Sequence, residues 1–279
     1  MDINQDNAEL GRTSDAFFAQ VMAAHCADSL TDQILKGLQD GEFYVAYQPV
    51  VDTRTCSLLG VECLLRWRHP RFGLILPGSF IHAFENGRVA RAVSYFVLES
   101  ACQQLADLRE AGLPLPRVAI NIQPTQLEDE ELVEKIILVT SRHGIDPSLI
   151  ELELLETEDA FKLLSIPDHT KVLKELGVRF ALDDFGSGYS SLAMLGSVHI
   201  DTVKLAREFL VDIPTSPRAC AVVSGILHLL GKLGFTIVVE GVETPDQFRW
   251  LTLHPGIYVQ GYHIARPQAE MLQAVALLK

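Results

Sequence analysis

Polar groups recur at one end of short apolar runs. Glu62 with Arg66, Asn121, Glu153, Asp183 with Asp184, Lys204, Glu240 and Gln260 each stand at or near the end of a stretch that otherwise reads as a buried β-strand. A parallel strand covered on both faces is expected to be apolar throughout. A charged or amide group at the same end of strand after strand therefore marks one shared surface. In a β/α barrel the C-terminal strand ends converge on the face where active sites are built. Glu62, Glu153, Asp183, Asp184 and Glu240 are carboxylates, and when gathered at neutral pH they repel, so some must protonate or bind cations. Oxygen ligands with an amide suit the hard ions Mg²⁺ and Mn²⁺. Adjacent Asp183 and Asp184 can reach two ions if one of them bridges, and two dications with Lys204 would balance the carboxylates. Such a cleft, with its ions about 3.5–4 Å apart, clamps the attacking and leaving oxygens of a phosphoryl displacement.

Other chemistries lack their signatures. There is no HExxH run, no Cys–His set at zinc spacing and no GxxxxGK[ST] loop. His69 and His263 are expected to pack or hydrogen-bond locally. The run Phe185–Leu192 reads as a tight loop entering a helix, with Gly186 and Gly188 permitting close backbone approach and Ser190 as a cap. Following two metal-type aspartates, it is a candidate for a loop that moves with the site.

The elements that must position these groups alternate. Strands are expected at Phe43–Pro49, Gly60–Arg66, Val118–Asn121, Ile150–Leu154, Arg179–Asp183, Thr202–Leu205, Thr236–Glu240 and Tyr258–Gln260. Helices are expected at Val89–Ala111, Thr125–His143, Asp168–Leu176, Arg218–Leu233, Pro245–Leu253 and Gln268–Leu278. Alternation implies parallel strands with helical crossovers, and the strand count favours a closed (β/α)8 barrel over an open sheet. The first two strands break the rhythm. Val51–Leu59 is too short for a crossover helix, so these strands should form an antiparallel hairpin and one barrel strand should run against the rest. Residues 1–29 read as an N-terminal extension, with a short helix at Ala16–Ala27, and residues 30–279 as one barrel domain.

Bulk composition agrees. The chain has 279 residues, 48% of them hydrophobic, and a net charge of −13. The length suits one barrel of about 250 residues with an extension. The acidic balance argues against a DNA or RNA duplex as partner and against an anionic membrane surface. No apolar run is long enough for a membrane span, and the polar start is unlike a signal peptide. Cys26, Cys56, Cys63, Cys102 and Cys220 form no CxxC pair. They are expected to be reduced, buried thiols of a cytoplasmic protein.

Taken together, the motifs resemble the EAL-domain family of bacterial cyclic-di-GMP phosphodiesterases, over about Leu30 to Leu278. Tyr47-Gln48-Pro49 is similar to the family's opening segment. Glu62-Cys63-Leu64-Leu65-Arg66 matches its ExLxR block, and Glu153-Leu154-Leu155-Glu156-Thr157 its ExTES block. Asp183 to Gly188 matches its DDFGTG loop, and Glu240-Gly241-Val242-Glu243 and Gln260-Gly261-Tyr262 complete the set. The resemblance implies a modified (β/α)8 TIM-like barrel and hydrolysis of cyclic-di-GMP to linear pGpG, by water attacking one phosphorus in line with the departing 3′-oxygen. It implies Glu62, Asn121, Glu153 and Asp183 on one Mg²⁺ or Mn²⁺, and Asp183, Asp184 and Glu240 on a second, with Ca²⁺ inhibitory. Lys204 would hold the attacking water, and Glu240 is a ligand first and a general base second. Arg66 would contact a phosphate, while Gln48 and Gln260 would position substrate or water. Glu156 and Glu243 would anchor the DDFGSG loop, which in the family leads to a homodimer interface. Leu155, Gln123 and Ala206 depart from the family pattern. They predict reduced or conditional activity and leave open a non-catalytic cyclic-di-GMP receptor or a protein-interaction module on the same barrel.

Overall fold

The computed structural model describes residues 27–188 and 192–277. The expected helix at Ala16–Ala27, apart from its last residue, and the expected cap at Ser190 lie outside these. Eight strands close a ring: β1 (Phe43–Asp52), β2 (Leu58–His69), β4 (Arg117–Asn121), β5 (Ile150–Leu155), β6 (Arg179–Phe185), β7 (Thr202–Leu205), β8 (Thr236–Val239) and β9 (Ile257–Val259), with β9 paired back to β1. A short β3 (Gly73–Ile75) folds back on the end of β2, outside the ring. β1 is antiparallel to both of its neighbours, and every other neighbouring pair in the ring is parallel. The turn after β1 is an Asx turn: the Asp52 carboxylate accepts from the backbone N–H groups of Arg54 and Thr55 at 2.9 and 2.8 Å. The expected modified barrel is therefore the observed fold.

The α-helices among the described residues are α1 (Ala27–Gln39), α2 (Gly87–Glu110), α3 (Glu130–His143), α4 (Glu158–Leu164), α5 (Pro167–Glu175), α6 (Pro217–Lys232), α7 (Pro245–Leu251) and α8 (Met271–Ala276). The helix expected over Thr125–His143 is divided. A 3-10 turn at Pro124–Glu128 comes first, and Asp129 then caps α3 by accepting from the Glu131 N–H. β3 and α4 are too short to give a clear periodic signal. Thr157, a departure from the family block, caps α4 by accepting from the Ala160 N–H at 3.1 Å.

Register and the period of two divide each strand between helix layer and barrel interior. Val61, Cys63, Val118, Ile120, Leu152, Leu154, Phe180, Leu182, Val203 and Leu205 alternate with the inward residues and are buried. Inward, Glu62 pairs with Ala119 and Ala119 with Glu151, while Glu153 pairs with Ala181 and Ala181 with Thr202. The two alanines leave room for longer polar side chains to meet across them. Deeper in the barrel, Thr202 Oγ1 donates to Glu151 at 2.5 Å.

Because β1 is reversed, its first residue lies at the end of β2. There Phe43 stacks on Trp67 at 4.8 Å, and Trp67 Nε1 donates to Glu42 at 2.8 Å. α1 closes on this group through Gly37, where an added Cβ would fall 2.9 Å from the Glu42 carboxylate and the Phe43 ring. The cysteines divide: Cys63 and Cys102 are buried as expected, whereas Cys56 is exposed in the β1–β2 turn and Cys220 is partly exposed, so burial does not hold for all of them. Cys26 lies outside the described residues.

Enlarging Ala181 tests the packing of the barrel interior. Ala181→Leu is expected to lower unfolding free energy in urea by about 1–3 kcal/mol. A loss below about 0.5 kcal/mol would mean spare volume at that level of the barrel.

Candidate active site

Seven parallel strands and the reversed β1 deliver their polar residues to one mouth. At its centre lies Lys204, with a side chain 3% exposed. Its Nζ is 2.7 Å from Glu240, 2.9 Å from Asp183, 3.0 Å from Glu153 and 3.3 Å from Glu62. Asp183 Oδ1, the oxygen that faces Lys204, is buried. Asn121 Nδ2 faces Glu62 at 3.3 Å and Glu153 at 3.5 Å.

The donor set fits a metal. Glu62, Glu153 and Asp183 are buried, and one carboxylate oxygen from each lies within 4.8 Å of the others. That spacing suits oxygens around one hard cation, whose ligand distances are about 2.0–2.6 Å.

The remaining expected site residues take distinct places. Gln260 Nε2 donates to Glu62 at 2.6 Å and to Gln48 at 3.1 Å, while Gln48 Nε2 donates to the Ala265 carbonyl at 3.0 Å. These buried amides therefore orient Glu62. Asp184 sits at the mouth with φ 53°, a left-handed conformation uncommon for a residue with a side chain. Glu156 holds the loop that follows: one carboxylate oxygen accepts from the N–H groups of Gly186 at 3.0 Å and Gly188 at 2.8 Å. Gly186 has φ 91°, and a Cβ there would meet the Phe209 ring at 2.3 Å. Glu243 is exposed on the cleft rim, and its backbone N–H donates to Gln247. Arg66, at the end of β2, donates from Nη1 to the Leu65 carbonyl at 2.8 Å.

Burial and charge set protonation. Burial pushes the Glu153 carboxyl well above the usual range, against the pull of Lys204. Burial also raises Glu240, to about 8, again opposed by Lys204. Burial works against the Lys204 charge, but Asp183, Glu153, Glu240 and Glu62 outweigh it and raise its pKa well above that of an ordinary lysine. Asp184 is raised by burial and then by Asp183 beside it.

The EAL domain family matches residues 31–267, which include every residue of this cluster. The chain belongs to the EAL domain family. A cyclic di-GMP phosphodiesterase of Pseudomonas aeruginosa is 36% identical over 252 residues, 89% of this chain and 42% of that protein. The cyclic di-GMP phosphodiesterase RocR of the same organism is 34% identical over 238 residues, 85% of this chain and 60% of that protein. This chain thus spans less than two thirds of the length of either relative. A solved c-di-GMP complex of the PaMucR phosphodiesterase is 32% identical, with a TM-score of 0.78, covering 88% of this chain and 99% of that one.

In this EAL domain the cleft above the acids has a volume of about 320 Å³, and its wall includes two residues that the motif reading left without a role, Arg207 and Tyr262. Tyr262 belongs to the Gln260-Gly261-Tyr262 motif and Arg207 follows the strand of Lys204, so both are visible by position but not by spacing. Leu155 and Gln123 line a separate, largely apolar cavity of about 200 Å³ that reaches Asn121. Ala206 is fully buried.

Glu240 gives a pH test. A carboxyl raised from 4.5 to about 8 holds its proton longer in the folded than in the unfolded chain. Its contribution to stability is therefore lost as pH rises from the unfolded value through the folded one. In EDTA, the Tm advantage of Glu240→Gln over the native chain should grow between pH 5 and pH 8.5, by about 1 kcal/mol or more in equivalent stability. A difference that stays constant with pH would mean that Glu240 ionises as freely folded as unfolded.

Proposed function

We propose that this EAL domain is a metal-dependent phosphodiesterase that hydrolyses cyclic-di-GMP to linear pGpG, lowering the level of a bacterial second messenger. The observation that carries this reading is the convergence of Glu62, Asn121, Glu153, Asp183 and Glu240 around Lys204, within the contacts given above. The relatives named as cyclic di-GMP phosphodiesterases support the substrate. Glu62, Asn121, Glu153 and Asp183 would hold one Mg²⁺ or Mn²⁺, and Asp183, Asp184 and Glu240 a second. Bound there, the ions supply Lewis acidity, lowering the pKa of water and neutralising charge on the phosphoryl oxygens.

The chain's own groups do the rest. Lys204 Nζ, locked among acids, orients the attacking water by donating to it. Glu240, with a pKa near neutrality, accepts a proton from that water when it is not spent as a ligand. Arg66 contacts the phosphate under attack. Gln48 and Gln260 act through Glu62, which they hold in place. The loop held by Glu156 passes beside Phe209, and Val211 and Val222 are 76% and 50% exposed in the same part of the chain. This supports a homodimer through that region. Cytoplasmic placement is supported by the free thiols of Cys56, Cys63, Cys102 and Cys220. Among the described residues no helix is long and apolar enough to cross a membrane.

Leu155 beside Asn121 favours slow turnover, since it places an aliphatic side chain where the family carries a hydroxyl. Incubation of the chain with cyclic-di-GMP and Mn²⁺ should yield pGpG, identified by mass. Glu62→Ala or Glu240→Ala should lower kcat at least about 100-fold, as loss of a metal or a charge-stabilising group does. Tight calorimetric binding with no product would replace this reading by a receptor; neither binding nor product would replace it by an interaction module.

A further inference from the structure

An anionic ligand would enter this cleft past a wall whose charged groups are mostly anionic. Glu62, Asp183, Asp184, Glu240 and Glu243 all line it, and Arg207 is the one cation among the described residues that do so. Lys204 lies beneath, with four carboxylates around its ammonium. Resting on the reading above, the ligand carries two phosphodiesters on opposite sides of one covalent ring. Two dications and Lys204 would offset the five carboxylates, and Arg66 the phosphate under attack. The second phosphate then needs its own cation.

The barrel places Arg207 across the mouth from the strand of Arg66. Going round the ring, β7 lies four strands from β2 in either direction, so the two are diametrically opposed. Arg66 stands at the end of β2, and Arg207 follows β7. A ligand lying across the mouth, with one phosphate over the acids, meets one guanidinium on each side.

Arg207 is also fixed at its base and free at its head. Gly241, directly after Glu240, has φ 66°, and an added Cβ there would come within 2.3 Å of the Arg207 Cβ. The loop that carries Glu240 therefore seats on the stem of the arginine, tying its exit from the wall to the position of Glu240. Its side chain is 74% exposed, and its ion pair to Glu208 is long at 3.5 Å. A guanidinium so placed presents a planar fork suited to two phosphate oxygens.

We propose that Arg207 is a substrate-binding residue that holds the phosphate that is not cleaved, and so favours cyclic dinucleotides over simple diesters. The test compares the native chain with Arg207→Met and Arg207→Lys, in Mn²⁺, on cyclic-di-GMP and on bis(p-nitrophenyl) phosphate, which has one phosphodiester. Arg207→Met should raise KM for cyclic-di-GMP at least tenfold and lower the ratio of the two kcat/KM values at least tenfold, with Arg207→Lys in between. An unchanged ratio, whether both substrates suffer or neither does, overturns the proposal. Calorimetry of cyclic-di-GMP in Ca²⁺ should give the same tenfold weakening without turnover, and an unaltered Kd also overturns it. Failure of the underlying functional reading has a different signature: native protein that cleaves the simple diester and neither binds nor cleaves the cyclic dinucleotide.

Discussion

The structure depends on one buried ammonium. Lys204 sits inside a closed barrel with four carboxylates at 2.7–3.3 Å. Removing charged groups from water is costly, and a buried cluster persists only if its members compensate one another. One cation cannot satisfy four acids, and burial, with the neighbouring carboxylates adding to it, raises the pKa values of Glu153 and Glu240. The barrel thus stores an unmet demand for positive charge at a fixed point. A site that binds divalent ions and phosphate needs that property.

Everything around the cluster keeps it from relaxing. Gln260 and Gln48 form a chain of amides that pins Glu62 and ends on a backbone carbonyl. Asn121 bridges Glu62 and Glu153. Ala119 and Ala181, small and inward-facing, leave the acids the volume to approach. On the outer face of the same strands, aliphatic residues lock the barrel to its helices. The reversed β1 brings its own start, with Glu42, Phe43 and α1, to the rim beside Arg66, so a segment early in the chain packs against the ligand-facing side. The loop after Asp184 is held from the end of the adjacent strand β5 by Glu156, which takes two backbone N–H groups on one oxygen.

Much of this was legible before folding, because the relevant signals are local. Alternation of strand and helix, the short link Val51–Leu59 and the polar strand ends depend only on residue type and spacing. The period of two carries each polar residue inward once its strand is placed. Chain elements without such a signal were not legible. α4 is seven residues long and β3 three, and the break before α3 rests on capping at Asp129. The burial expected for Cys56 failed because a hydrophobic residue type says little about a turn position.

What the sequence determined by itself is the inventory and the order: which acids, which lysine, and strands able to bring them to one face. Only the tertiary structure decided who touches whom. That Gln48 and Gln260 serve Glu62, that Glu156 reaches Gly186 and Gly188, and that Arg207 stands across the ring from Arg66 all follow from closure of the barrel. Closure converts sequence separations of tens of residues into contacts of about 3 Å. Neither strand number nor spacing along the chain encodes which two positions then lie opposite each other; the ring of hydrogen bonds does.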